Sequence, residues 1–232
     1  MIFPPFVPGQ QDVFENMGSG SQAPAAPLQI PDHIARMGFH LTMDLTWMQS
    51  WNKMVLLLSS PGSQASYSVD MPEGWGGPTI LYPDQNAEGA PMTYVDRAAN
   101  GFTFYLPAIP SWGVPPSQVA MENQYHHSDT RYQFSMVVAS GYTESFEWRR
   151  AGRREMRSLG MSRSGWKLVR LTYGNEVVAG FSEEKDLSMP RVGTFSYLGS
   201  GSTAEMGYHW MLMAVISGIV VFQHVDGREQ AA

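Results

Sequence analysis

Residues 210–222 read WMLMAVISGIVVF, and this stretch decides the fold. As a helix it is apolar on every side except at Ser217, so it must lie either in lipid or inside protein. Its thirteen residues span about 20 Å at a rise of ~1.5 Å per residue, which is short of the ~30 Å hydrocarbon layer of a bilayer. We therefore expect the rest of the chain to enclose this helix, and the sequence disfavours a transmembrane span.

The residues on either side of this stretch predict where the helix begins and ends. Residues 202–205, STAE, have the form of a capping box, which satisfies the free backbone N–H groups at a helix start. Gly227 followed by Arg228 is typical of a helix end. We expect a helix from Glu205 to Phe222 that stops by Gly227.

The chain before this helix is a succession of short runs that are typical of strands. The runs are rich in β-branched and aromatic residues and are separated by turn residues, and the chain contains 23 Gly and 16 Pro. We expect about twelve strands, over residues 40–48, 54–59, 66–71, 78–82, 92–96, 102–106, 118–123, 132–138, 144–149, 166–172, 177–181 and 192–198. The predicted fold is mainly β: a closed antiparallel barrel of about twelve strands around a buried hydrophobic C-terminal helix.

Composition divides the chain into two regions. Residues 1–35 contain six prolines and a Gly/Ser/Ala-rich stretch without a sustained hydrophobic period, which predicts a flexible tail. Residues 36–232 carry all the predicted strands and the apolar helix. Since the chain is 43% hydrophobic and only 16% charged, we expect this second region to be a single β-barrel domain with one large core.

The chain contains no cysteine, which excludes disulfides, a thiolate nucleophile and metal sites built on sulfur. Its first residues, MIFPPF, lack the basic region and the unbroken apolar region of a secretory signal. These features favour an intracellular location, either cytoplasmic or at the inner membrane surface.

The charges are distributed unevenly along the chain. Residues 149–170 hold eight cations against Glu155 alone, which gives +7, whereas the whole chain carries −6 and the remainder therefore −13. Clustered guanidinium groups bind phosphates well, so five arginines are candidates for an anion or lipid site. These are Arg149, Arg150, Arg153, Arg154 and Arg157. The alternative is a solvated loop whose cations balance the acidic remainder.

Signatures of catalysis are absent from the sequence. There is no nucleophile elbow, phosphate-binding loop, zinc-protease helix or dinucleotide fingerprint. Residues 126–129, HHSD, offer two imidazoles, but neighbouring residues of a strand face opposite sides, which favours a polar turn over a metal site. We expect no catalytic residue, no metal and no cofactor.

Several motifs in the second half of the chain form a recognisable pattern. They are residues 147–150 (EWRR), 165–170 (GWKLVR), 176–181 (EVVAGF), 192–195 (VGTF) and 210–218 (WMLMAVISG), joined more loosely by 67–69 (YSV), Gly74, Trp75 and Pro78. In these residues the chain resembles the Tubby C-terminal-like superfamily, which includes tubby proteins, LURP-one-related plant proteins and phospholipid scramblases. The likeness covers about residues 66–225, and the chain is similar in particular to a fungal family of tubby-like domains. The resemblance implies an antiparallel barrel threaded by an apolar helix.

The resemblance also bears on function. Tubby proteins bind phosphoinositides through basic residues on the barrel surface, although no individual ligand position carries over to this sequence. Scramblases are anchored through palmitoylated cysteines, which this chain lacks. We expect a non-enzymatic domain that binds a phospholipid headgroup or a protein partner, and the net charge disfavours nucleic acid.

Two alternatives stay open at this point. One is a purely structural or protein-interaction module that works through its proline-rich tail and exposed strand edges. The other is a hydrolase without a recognisable motif, which would need a concave pocket holding a nucleophile beside a base.

Overall fold

The computed structural model of the chain describes residues 24, 26–48, 54–87, 89–126, 129–184 and 191–231. Twelve strands and three α-helices lie in these residues. The helices are α1 (Asp32–Met37), α2 (Arg153–Ser158) and α3 (Tyr208–Ala231). The strands are β1 (Thr42–Met48), β2 (Met54–Ser59), β3 (Ala65–Met71), β4 (Thr79–Tyr82), β5 (Thr93–Ala98), β6 (Gly101–Leu106), β7 (Ser117–His126), β8 (Asp129–Val137), β9 (Thr143–Ala151), β10 (Gly165–Arg170), β11 (Glu176–Glu183) and β12 (Arg191–Tyr197).

The strands form a closed antiparallel barrel in sequence order. Each strand pairs with the one before and the one after it, and β1 pairs with β12 to complete the ring. The predicted fold class is confirmed. Because every described strand has two neighbours, the described barrel has no edge strand.

Helix α3 runs through the middle of the barrel. Its stretch from Tyr208 to Val225 has a mean hydropathy of 1.4. By length and composition this stretch could cross a membrane, yet 72% of its residues are buried inside the protein. Leu212, Val215 and Ile219 are among its fully buried side chains. Burying a side chain of this size is worth roughly 1.5–3 kcal/mol, so the enclosed helix supplies much of the core.

The predicted helix boundaries are wrong at both ends. Residues 199–202 form a 3-10 turn, and the helix starts at Tyr208 after Gly207, whose φ of 82° breaks the helical backbone. Glu205 does not cap the helix, because its carboxylate accepts a hydrogen bond from Arg170 Nη1 at 3.0 Å. Gly227 lies within the helix, which continues to Ala231.

The two ends of the barrel differ and are named by the course of α3. The end at which α3 begins is termed the upper end, where Tyr208 packs against Trp112 with ring centroids 5.9 Å apart. The end at which α3 finishes is termed the lower end, where His224 packs against Phe102 at 5.4 Å. The β8–β9 turn lies at the upper end, where Ala139 N donates to Met206 O at 3.1 Å just before α3 begins, so β9 ends at the lower end and α2 follows it there.

Part of the segment assigned to the N-terminal tail contacts the barrel. Ile30 N donates to Ala108 O at 3.1 Å, and the Ile30 side chain is buried. Helix α1 follows at the upper end, where Trp112 Nε1 donates to Asp32 Oδ1 at 2.8 Å. Residues 1–23 lie outside the described part of the chain.

Candidate anion-binding surface

The five candidate arginines lie at the lower end, but on two different elements. Arg149 and Arg150 belong to the last part of β9. Arg153, Arg154 and Arg157 belong to the short helix α2, which connects β9 to β10. The two groups differ in their partners.

The two arginines on β9 are engaged by buried carboxylates. Arg149 Nε donates to Glu147, and Arg150 holds Glu183 with two bonds, of which Nη2 to Oε2 measures 2.8 Å. Glu147 and Glu183 are only 5% and 6% exposed. Since removing either arginine would leave a buried carboxylate without its partner, Arg149 and Arg150 hold these carboxylates in the barrel wall.

Glu183 accepts hydrogen bonds from two residues of this wall, and the sequence does not reveal this arrangement. Its Oε1 also accepts a hydrogen bond from Trp166 Nε1 at 3.0 Å. The guanidinium of Arg150 lies 5.2 Å from the centroid of the Trp166 ring. The partners are 33 and 17 residues apart in sequence, so no local pattern signals them.

The three arginines on α2 are exposed and have no partner among the residues that the structure describes. Arg153, Arg154 and Arg157 are solvent-exposed, and none makes an ion pair or hydrogen bond with another described residue. The nearby carboxylate of Glu155 is engaged by Lys167. A phosphate at this surface would therefore meet guanidinium groups that no acid of the described chain competes for.

An apolar anchor holds α2 in place. Met156 points inward, is fully buried, and packs with Ala151 and Met161 in a small cluster apart from the main core. Backbone bonds close the turn: Met161 N donates to Met156 O at 2.9 Å, and Gly160 N to Arg157 O at 3.0 Å. The loop is thus an ordered platform, which lowers the entropy cost of binding through its arginines.

The structure divides the basic segment of residues 149–170. Five of its eight cations have carboxylate partners among the described residues, which are Arg149, Arg150, Arg163, Lys167 and Arg170. The other three of these eight cations are the arginines of α2. The local surplus available to a ligand is therefore about three charges.

Arg170 lies far from α2, at the upper end of the barrel. It is 5% exposed and donates two hydrogen bonds to Glu144, one to Glu205 and one to Ser200. These bonds, led by the pair with Glu144, raise the pKa of Arg170, and the same pairing lowers the pKa of Glu144. Arg170 links β9 and β10 to the segment that precedes α3.

Two cavities open on the described surface. One, of about 530 Å³, is lined mainly by apolar residues and includes Tyr105, Ser117 and Gln118. The other, of about 340 Å³, lies at the lower end and is lined in part by Arg97 and His224. Neither lining combines a nucleophile with a base.

No group of three or more His, Asp or Glu side chains within the described ranges is placed to hold a metal ion. His126 and Asp129 pair across the end of the β7–β8 hairpin, as a turn requires, while His127 and Ser128 lie outside the described residues.

Comparison with models of known protein families, with curated proteins and with solved structures finds no match for this chain. The function must therefore be inferred from the arrangement of the chain's own residues.

Proposed function

We propose that this protein is a non-enzymatic, tubby-like domain that binds anionic phospholipid headgroups through Arg153, Arg154 and Arg157. The observation that carries the proposal is the exposure of these three arginines, which have no partner in the described part of the chain, on an anchored helix at one end of the barrel. The resemblance to tubby proteins, which bind phosphoinositides, supports the same chemistry. In the cell the domain would act at the inner surface of a membrane.

The charge balance favours a local headgroup contact over an extended polyanion. The chain carries −6 overall, so a nucleic acid lying along the surface would be repelled away from α2. A cation close to an anionic membrane contributes about 1 kcal/mol, so three arginines supply about 3 kcal/mol, or roughly a hundredfold in affinity. Binding of this size is reversible and weakens as salt is added.

The test is co-sedimentation of the full chain with phosphatidylcholine vesicles that contain phosphatidylinositol bisphosphate. We expect binding by the natural protein, and a loss of roughly a hundredfold in R153S/R154S/R157S. Arg149 and Arg150 are left in place because their replacement would unpair buried carboxylates.

A charge-matched control separates the site from net charge. The double variant R36S/R191S removes two exposed cations elsewhere and is compared with R153S/R157S. Equal binding by these two variants would refute a site on α2. Competition by free inositol trisphosphate distinguishes the headgroup alone from the membrane surface as the ligand.

A further inference from the structure

The exposed large hydrophobic side chains of the described residues lie at the upper end. Single exposed apolar residues are ordinary on a soluble protein, but several at one end indicate an interaction surface. The residues are Met37, Leu41, Trp112, Val137, Tyr142 and Tyr173. They lie at the end of the barrel opposite to α2.

Three of these residues lie on two neighbouring hairpin turns. Val137 and Tyr142, which are 60% and 74% exposed, flank the β8–β9 turn, and Tyr173, 69% exposed, lies on the β10–β11 turn. The turns are adjacent because β9 and β10 are paired, and Leu171 N extends that pairing with a 2.8 Å bond to Ser145 O.

Three carboxylates lie around Arg170, beside Tyr173, on one side of this apolar surface. The Arg170 guanidinium lies 4.8 Å from the centroid of the Tyr173 ring and is within ion-pair distance of Glu144, Glu176 and Glu205. One cation against three carboxylates leaves two negative charges. The side chains of Glu176 and Glu205 are 29% and 51% exposed, so the surplus faces solvent beside the aromatic rings.

We propose that this surface is a docking site for a basic amphipathic segment of a partner protein. The segment would place apolar side chains against Val137, Tyr142 and Tyr173, and lysine or arginine side chains beside Glu176 and Glu205. Tyrosine is enriched among the residues that dominate binding energy at interfaces, and complementary charge fixes the orientation of the partner.

Charge decides between this occupant and the alternatives. An anionic bilayer would be repelled by the two surplus negative charges. A second copy of the chain, docked with the same surface about a two-fold axis, would oppose the acids of one copy to the acids of the other. A basic partner would experience neither of these electrostatic repulsions.

The site is independent of the α2 arginines. Helix α3 runs between the two ends of the barrel, and its 24 residues span about 36 Å at ~1.5 Å per residue. A partner at the upper end and a headgroup at the lower end therefore do not compete for space. The inference goes beyond the proposed lipid contact and would make the domain a link between a membrane and a protein.

The experiment selects binders to the full chain from a random twelve-residue peptide library displayed on phage. Selected peptides are then synthesised and their affinities measured by fluorescence anisotropy. We expect the selected peptides to combine aromatic or branched apolar residues with lysine or arginine. Their affinity should fall at least about tenfold in Y142S/Y173S and should also fall in E205Q.

Control variants test whether the loss of peptide affinity is specific to the surface at the upper end. E122Q removes an exposed carboxylate on β7 and should leave the affinity unchanged, as should R153S/R157S. Acidic selected peptides, or peptides that bind Y142S/Y173S as tightly as the natural chain, would overturn the proposal.

Two further outcomes would assign the surface to another occupant and overturn the proposal. The first is a dimer in sedimentation equilibrium that Y142S/Y173S abolishes. The second is sedimentation with pure phosphatidylcholine vesicles that the same variant abolishes.

Discussion

Trp148 and Ser217 are hydrogen-bonded in the middle of the barrel, where the indole Nε1 donates to the serine Oγ at 2.9 Å. Both residues are completely buried. Ser217 Oγ in turn donates to Ala214 O at 3.3 Å, so the bond joins β9 to α3 with both polar groups satisfied. In an apolar interior such a bond fixes the rotation of the helix against the barrel wall, because other rotations would leave the indole N–H unpaired.

Ser217→Ala should therefore destabilise the fold. The substitution removes the acceptor and leaves the buried Trp148 N–H unsatisfied, which costs about 1–3 kcal/mol in the free energy of unfolding. Urea denaturation measures the change. Ser140→Ala, at an exposed turn residue, is the control, and equal stability of the two variants would show that the bond contributes nothing net.

Gly218→Leu should prevent soluble folding. A Cβ at Gly218 would lie 3.1 Å from Cζ2 and 3.3 Å from Cη2 of Trp148, and 3.5 Å from Cδ2 of Phe195. A leucine side chain cannot fit there, whereas Gly218→Ala should fold with a loss of about 1–3 kcal/mol, the cost of overpacking. Soluble yield and urea denaturation are the measurements. Gly76→Leu, where a Cβ meets nothing within 4 Å, should stay soluble, and a soluble Gly218→Leu protein would count against the packing of α3.

The Glu144–Arg170 pair should make stability depend on acid pH. Hydrogen bonding to Arg170 lowers the pKa of Glu144 below its ordinary value of 4.5. A lowered pKa in the folded state means that the stabilisation is complete above pH 4.5 and is lost as the pH falls through the lower folded value.

Glu144→Gln tests this dependence. At pH 7 the variant should be less stable by about 1–3 kcal/mol, since Arg170 loses its main partner but keeps its hydrogen bond to Glu205. The difference from the natural protein should narrow as the pH falls below 4.5. Urea denaturation at a series of pH values measures the difference in the free energy of unfolding between the two proteins. A difference that does not change with pH would show that protonation of Glu144 is not coupled to unfolding.

His209 should give a second, separate pH dependence near neutrality. Its ring Nε2 donates to Pro107 O at 2.7 Å, and burial lowers the pKa of the imidazole below 6.5. The unfolded chain then binds the proton more readily than the folded one, so stability falls as the pH drops below 6.5 towards the folded value.

His209→Gln removes this titration and can keep a donor for Pro107 O. Between pH 7.5 and 5.5, chosen to bracket the ordinary histidine pKa of about 6.5, the natural protein should lose stability that the variant retains. Thermal unfolding at each pH compares the two. His40→Gln, at an exposed residue, should follow the natural protein, and parallel pH profiles for all three would exclude His209 as the cause.

The strands could be predicted because their signal is local. All twelve predicted runs correspond to strands. Successive side chains of a strand point to opposite faces, so a strand that packs on a core shows apolar and polar residues in alternation along the sequence. The largest differences are in β7 and β8, which extend three residues further into their shared hairpin than predicted. There backbone pairing continues through polar residues, for which a hydrophobic pattern gives no signal.

The helix boundaries and the arginine partners could not be predicted in the same way. The capping-box pattern of residues 202–205 is local and was misleading, because Glu205 binds Arg170, 35 residues away in sequence. Likewise the five candidate arginines are equivalent in sequence, and only the pairing of β9 with its neighbours brings Arg150 within reach of Glu183. No residue pattern separates the engaged arginines from those on α2.

The sequence by itself determined that this protein is a β-barrel with an apolar helix inside it. An uninterrupted apolar helix needs lipid or protein around it, and about a dozen short strands can provide a protein enclosure. The tertiary structure alone decided which charges are free and where the apolar surface lies. Ion pairs and surface clusters form between residues that are distant along the chain, so their partners are fixed only when the barrel closes.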